Sequence, residues 1–484
     1  AATDDAVHIY KSSNIQRFVD GTWSANNLVD NVWGHYYEGI RAANFYLKET
    51  AGLTFDEWKY SDDYEAIMKE FTNYQYEVRF LRAYFYFELI KRYRNIPFVL
   101  DVLAQNEANG VNPESYEKIA KFIVDECSDL AQILPVNYDN FSTKEKGRVT
   151  RAAAMALKSR VTLYMASPLF SEDSEDKWKQ AAEAAYDIIK QKTDLGLDLV
   201  PYPQIFNDVN NQKAEVILYR PTGESGDFEK ANFPIGVEGG KTSTCPTQNL
   251  MEAYDMKDGT PFVWNNQSNP YDNRDPRMKY TIVCNEMKWP VDPVEIWEGG
   301  TNGLPLQNAT TTGYYLKKYV NNTISFEAGS TVTKKQHNWV LFRYGEILLN
   351  YAEAMINAFH DPNYKDAVYN MSAREAVNQI RGRTNISLPG FPSDITEKDF
   401  VKRLKNERRV ELAFEGHRFW DVRRWKELGQ TANIYGVKIT KNNEVISYEK
   451  FLLETRAVTD NMYFYPIPNT ERFKNPNLGQ NPGW

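Results

Sequence analysis

Cysteine is nearly absent. Cys127, Cys245 and Cys284 are the three in 484 residues, far apart and odd in number. They form neither a CxxC pair nor a full disulfide framework, and they read as small core residues. Long apolar runs are missing as well: the greasiest stretch, residues 80–93, contains Arg82, Glu88, Lys91 and Arg92. A membrane helix needs roughly 20 uncharged apolar residues, so none is expected. Histidine is scarce. His8, His35, His337, His360 and His417 include no pair at helix-ligand spacing and no neighbouring cysteines, which excludes a sequence-readable zinc site. There is no EF-hand loop and no Gly-x-Ser-x-Gly elbow. Gly236-Val-Glu-Gly-Gly-Lys-Thr242 has one residue too few for a phosphate loop, and Pro246 follows where a helix should run. Positive charge is not in excess either: 65 acidic residues against 57 basic give a net charge of −8. The charges are mixed along the chain, which argues against nucleic acid as a partner.

What the sequence has in quantity is aromatic rings, 14% of residues with 31 Tyr and 11 Trp, beside a mean hydropathy of −0.60. Amphipathic rings suit sugar or peptide recognition at a wet surface, and tyrosine also fills the cores of helical repeats. The length permits a large core without disulfides or metals.

Helical periodicity marks residues 27–47, with Val29, Val32, Tyr36, Ile40 and Ala43 in phase, and residues 63–93, with Val78, Leu81, Phe85 and Leu89 as the core stripe. Arg94-Asn95-Ile96-Pro97 stops the second. Further helices are predicted over 115–133, 150–166 (Thr150 as cap) and 176–191. From 195 to 335 the texture turns to Gly, Pro, Asn and Thr around short apolar runs, which predicts loops and a few short strands, the natural place for a binding surface. Helical patterns return over 338–358, 366–381 and 397–425. The expected architecture is all-α dominated: tetratricopeptide-like helical hairpins over 1–194 and 336–425, a loop-rich insertion over 195–335 and an extended tail over 426–484, in one domain of residues 1–484. No clean 34-residue period accompanies the hairpins.

Glu407, Glu411 and Glu415 fall on one helical face, and paired carboxylates are what a glycosidase uses as acid and base. Arg408, Arg409, Arg418, Arg423 and Arg424 lie in the same segment. Paired with them, the glutamates would stay ionised and could not act as general acids, so a structural network and no catalytic residue is expected.

The segment Glu407-Arg-Arg-Val-Glu-Leu-Ala-Phe-Glu-Gly-His-Arg-Phe-Trp-Asp-Val-Arg-Arg-Trp425 resembles the signature of the SusD/RagB family. Other blocks are similar to that family in the same order: Trp33-Gly-His-Tyr-Tyr-Glu-Gly-Ile-Arg-Ala-Ala-Asn44, Val78 to Phe87 with Asn95-Ile-Pro97, Gly147 to Leu157, Pro246 to Gly259, Arg274-Asp-Pro-Arg277, Phe342 to Ala354, and Tyr463-Phe-Tyr-Pro-Ile-Pro468 with Gln480-Asn-Pro-Gly-Trp484. They span nearly the whole chain. The resemblance implies four tetratricopeptide-like hairpins and a lipid anchor at the extracellular face of the outer membrane. It also implies a TonB-dependent SusC-like transporter as partner, and capture of oligosaccharide, or of peptide in the RagB-like branch, without covalent chemistry. The chain opens at Ala1 with no basic and hydrophobic leader, so the signal peptide and lipid-bearing cysteine are expected to precede this numbering.

The resemblance also places the ligand where a loop before the Trp33 helix meets the middle insertion. The first region offers Asp4, Asp5, His8, Trp23, Asn26 and Asn27. The second offers Phe228, Phe233, Trp264, Tyr271, Trp289, Trp297 and Tyr314, beside polar stretches such as 265–269. From these, Asp5, His8, Trp23, Asn27, Phe228, Phe233, Trp264, Tyr271 and Trp289 are the expected ligand-binding residues, because a flat ring stacks on a pyranose while Asp and Asn bond its hydroxyls. Trp23 leads. No cofactor is expected, and calcium is the one ion left open. The competing readings are peptide capture by main-chain hydrogen bonding, an α-helical glycoside hydrolase, and a tetratricopeptide-type scaffold for a protein partner.

Overall fold

The computed structural model describes residues 1–484 except 142, 144, 173, 207–213, 266–268 and 328–332. The chain is helix-dominated with short antiparallel strand pairs, as expected. It folds as two compact units threaded through each other in sequence: a helical unit of Trp23–Asp198, Phe342–Ala358 and Thr459–Trp484, and a mixed unit of Ala1–Thr22, Leu199–Leu341 and Phe359–Val458. The Asn-rich stretch expected over 265–269 lies largely outside the described residues.

In the helical unit, Trp33–Glu49 packs on Tyr64–Tyr93, which packs on Tyr116–Ile133; that helix packs on Arg151–Ala166, and Arg151–Ala166 on Glu175–Lys190. Ser115 caps its helix by accepting from Lys118 N at 3.2 Å. Thr150 holds the cap position in extended conformation but makes no side-chain capping hydrogen bond. Behind it, Ala152, Ala153, Ala154 and Ala156 are buried and let neighbouring helices approach closely. Tyr64–Tyr93 stops where Arg94 turns to a φ of +66° ahead of Pro97. This helix touches three others, so one stripe does not describe it: Phe80, Tyr86 and Phe87 are fully buried while the expected core residue Leu81 is 39% exposed.

The first helix begins at Trp33, six residues later than its periodicity predicts. The cause is tertiary. Asp30 sits at a φ of +49°, its carboxylate accepting from Arg92 Nε (3.1 Å) and Nη2 (3.0 Å) and from the Tyr465 hydroxyl (3.0 Å). A buried ion pair joins Arg160 to Glu346, at 2.7 Å from Nε and 2.6 Å from Nη2.

In the mixed unit, residues expected to open a helix at 338 form the strand Lys335–Arg343, paired with Val216–Ser225, before the helix Tyr344–Phe359 begins. The run Trp339 to Phe342 is as compatible with a buried strand as with a helix, and pairing decides it. The helix expected from 366 is only Ala373–Arg381, because the Asp366 carboxylate accepts from Val368 N and Tyr369 N (2.8 and 2.7 Å) and closes a turn, leaving Ser372 and Glu375 to form a capping box. Residues 397–425 are two helices, Glu397–Glu411 and His417–Arg424, divided where Phe414 and Gly416 take φ of +61° and +83°. The tail is not simply extended: Asn433–Asn442 and Val445–Thr455 form a hairpin, and Asn443 and Glu444, with φ of +47° and +67°, make its two-residue turn.

Candidate functional site

The carboxylate face of Glu397–Glu411 is neutralised, but not by its local arginines. Glu407 accepts from Arg277 (2.6 Å) and Arg381 (2.7 Å), Glu411 from Arg277 (2.9 Å) and Arg383 (2.7 Å), and Glu415 from Lys318 (2.8 Å). The expected partners serve elsewhere. Arg408 and Arg424 each bond Asp421 at 2.9 Å, while Arg409 and Arg418 hold Asp5 and Asp4 at 2.7 and 3.0 Å. Adjacent helical positions do not face each other, so Arg408 could not reach Glu407. Burial alone would raise the Glu407 carboxyl; Arg277 and Arg381 outweigh it and hold the group below the usual carboxylate range. A carboxyl kept ionised this way has no proton to donate.

A cavity better suited to recognition lies elsewhere in the mixed unit, at about 400 Å³, between the turn Tyr202–Ile205, the segment Lys317–Thr323 and the start of the strand Lys335–Arg343. Its walls present Phe206, Tyr280, Trp289 and Tyr319 as rings and Asn321, Asn322, Thr323 and His337 as polar groups. Beneath them, buried Lys318 donates to the Tyr202 hydroxyl (2.9 Å) and to Glu415, and lies 4.0 Å from the Phe206 ring centre. Tyr319 takes a φ of +66°, an uncommon backbone state for an aromatic residue, and sets its ring 5.0 Å from Phe206 and 4.9 Å from Trp339. Buried Glu229 fixes the polar rim: its Oε1 accepts from Asn321 N at 3.0 Å and lies 3.0 Å from His337 Nε2. A larger cleft of about 860 Å³ beside Glu397–Glu411 is lined by charges of both signs and a single ring, Phe262, so it offers little to stack on.

Of the expected ligand-binding residues, Trp289 borders the aromatic cavity, although its indole is only 7% exposed and belongs mostly to the core. Phe228 packs on the cavity wall, 5.4 Å from His337 and 5.0 Å from Trp339. The others in the mixed unit are placed differently. Phe233 is core, 1% exposed. Tyr271 packs between Tyr314 and Tyr448, and burial pushes its hydroxyl well above the usual tyrosine range. Trp264 lies half-buried near Phe262, and Trp297 half-buried under Lys441. Asp5 is buried on Arg409, and His8 is half-buried on the strand Ala6–His8, accepting from Tyr10 N at 3.3 Å. In the helical unit, Trp23 is 4% exposed, edge-on to Tyr465 (4.8 Å) and Trp484 (4.9 Å), and Asn27 closes a turn on Ser24. Its indole is a packing ring. The helical unit does expose rings that the sequence did not single out: Trp58 and Tyr60, at 52% and 88%, in the connection before Tyr64–Tyr93.

Phe206, Tyr280, Tyr319 and Trp339 were likewise not singled out. Only their position in or beside the loop-rich stretch pointed to them, and spacing gives no hint that they converge. Among the described residues, no group of three or more His, Cys, Asp or Glu is placed to hold a metal ion, and no helix is long and apolar enough to cross a membrane.

The chain as a whole is similar to known proteins. The curated SusD-like protein P2 of Formosa agariphila is 23% identical over 481 residues, covering 95% of this chain and 81% of that protein. A solved SusD-like protein from Bacteroides fragilis superposes with a TM-score of 0.80 at 26% identity, covering 100% of this chain and 92% of that one. A SusD-like carbohydrate-binding protein from the same species gives a TM-score of 0.80 at 25% identity, with 99% and 91% covered. The family model described as starch-binding associating with outer membrane matches residues 1–163. The SusD family model matches residues 205–484, more than half of the sequence, and the chain therefore belongs to the SusD family.

Proposed function

We propose that this protein is a surface glycan-binding protein that captures oligosaccharide at the outer membrane and passes it to a TonB-dependent, SusC-like transporter, held there by a lipid and performing no covalent chemistry. The observation that carries the reading is the cavity of Phe206, Tyr280, Trp289 and Tyr319 rimmed by Asn321, Asn322 and Thr323. Rings stack on the apolar face of a pyranose, and a few placed amide and hydroxyl groups bond its hydroxyls. Membership of the SusD family, and a related protein of the same fold described as carbohydrate-binding, support it.

Affinity electrophoresis through gels containing a polysaccharide panel tests the proposal. At least one glycan should retard the protein, and the double variant Phe206→Ala, Tyr280→Ala, at the half-buried rings of the cavity, should lose on the order of tenfold or more in affinity. Absence of retardation by every glycan, or a double variant that binds as the parent does, would refute it. The transporter step is tested separately by co-purification with a barrel protein from outer membranes.

A further inference from the structure

We infer that the aromatic cavity is built for an acidic glycan, with Lys317 as the counter-charge for an oxyanion on the sugar, either a uronate carboxylate or a sulfate ester. The inference rests on the glycan reading and adds a charge class to it. No aspartate or glutamate lines the cavity, although the chain carries a net charge of −8. Its basic side chains are in different settings. Lys318 is matched to Glu415, His337 lies against Glu229, and half-buried Lys335 opens the neighbouring strand. Lys317 is matched to nothing negative among the described residues: its Nζ meets the thioether of Met287 at 3.6 Å and the ring of Trp289 at 4.9 Å. A thioether is a weak acceptor, so the ammonium keeps most of its donor capacity.

A half-buried ammonium without a carboxylate is costly, and burial, aided by nearby Lys279, pulls Lys317 below the ordinary lysine range. Trp289 is only 7% exposed and has the ammonium over its ring, so it backs Lys317 rather than stacking on a ligand. An acidic pyranose can stack on the half-buried rings of Phe206 and Tyr280 while its oxyanion satisfies the ammonium. Lysine is a point charge on a flexible stem, so it accepts the planar carboxylate and the tetrahedral sulfate alike.

The test runs the protein through gels carrying two matched pairs that differ in charge, polygalacturonate against its methyl ester and dextran sulfate against dextran. The charged member of at least one pair should retard the protein on the order of tenfold more strongly than its neutral counterpart. In Lys317→Gln that preference should vanish, while Lys317→Arg should keep most of it. The pair that discriminates identifies the oxyanion as carboxylate or sulfate. Because the protein is itself anionic, unspecific attraction to a polyanion does not imitate the result. Equal retardation by charged and neutral members, or a preference that survives in Lys317→Gln, overturns the inference and leaves the glycan reading standing. No retardation in any of the four gels overturns the charge inference, and the glycan reading then falls only if the whole polysaccharide panel also fails to retard the protein.

Discussion

Arg277 donates to Glu411 at 2.9 Å although the two are 134 positions apart. The same guanidinium also holds Glu407 and Asp275, and Arg383 continues the chain of charges from Glu411 to Glu215 at 2.8 Å. Every one of these side chains is buried. Removing one member leaves its partners charged and unmatched, which costs about 3–5 kcal/mol. The arrangement fixes structure and withholds the glutamates from acid catalysis.

Glu411→Ala is accordingly expected to lower the urea unfolding midpoint by an amount equivalent to about 3–5 kcal/mol. Long incubation of the parent with a bound glycan should release no reducing ends. Release that is abolished in Glu411→Gln would convert the protein from a binder to an enzyme and defeat the functional reading.

Trp23→Ala should behave as a core truncation, costing about 3–5 kcal/mol, because the indole is buried between Tyr465 and Trp484. Thermal unfolding reads this directly. The fraction that stays folded should bind glycan with unchanged affinity, and a stable variant with lost binding would return Trp23 to the ligand site.

Stability should depend on pH through Glu88 and Lys91, which are paired at 2.5 Å in the helical unit. Burial alone would raise the Glu88 carboxyl, but Lys91 and Arg92 outweigh it and bring it to about 2, below its ordinary 4.5. A depressed carboxyl contributes stability above its unfolded value and loses it as pH falls through the folded one, so the midpoint should drop between about pH 4.5 and 2. Burial takes Lys91 the other way from most stabilised lysines, down to about 8 from 10.5 despite Glu88. The unfolded chain then holds that proton more tightly, and Lys91 adds stability as pH rises above about 8. Urea midpoints at about pH 8 and 9.5 should rise in the parent and stay flatter in Lys91→Met; identical profiles would dismiss the assignment.

The cysteines should be silent. Cys127, Cys245 and Cys284 are buried, and burial pushes the thiols of Cys245 and Cys284 up to about 12. An aromatic disulfide reagent should titrate no thiol in the native protein and three after unfolding. Fast native labelling at any of them would mean that its unit opens locally.

By itself the sequence determined the family and the helical scaffold. Helices such as Tyr116–Ile133 and Glu175–Lys190 carry strong periodicity and side-chain caps, both local properties, and their ends match the reading within a residue or two. It also determined that Glu407 and Glu411 would be neutralised, since buried carboxylates near so many arginines must be. The tertiary structure alone decided by which arginines, because Arg277, Arg381 and Arg383 reach that face from distant segments. It decided that both Trp23 and Trp289 are buried, and that the second backs a cavity to which Phe206 and Tyr280 present half-buried rings, none of which is visible in two tryptophans that both sit in polar loops. Periodicity reports which residues turn inward along one element. Which loop ring remains open to a ligand depends on the residues packed around it, and those come from far along the chain.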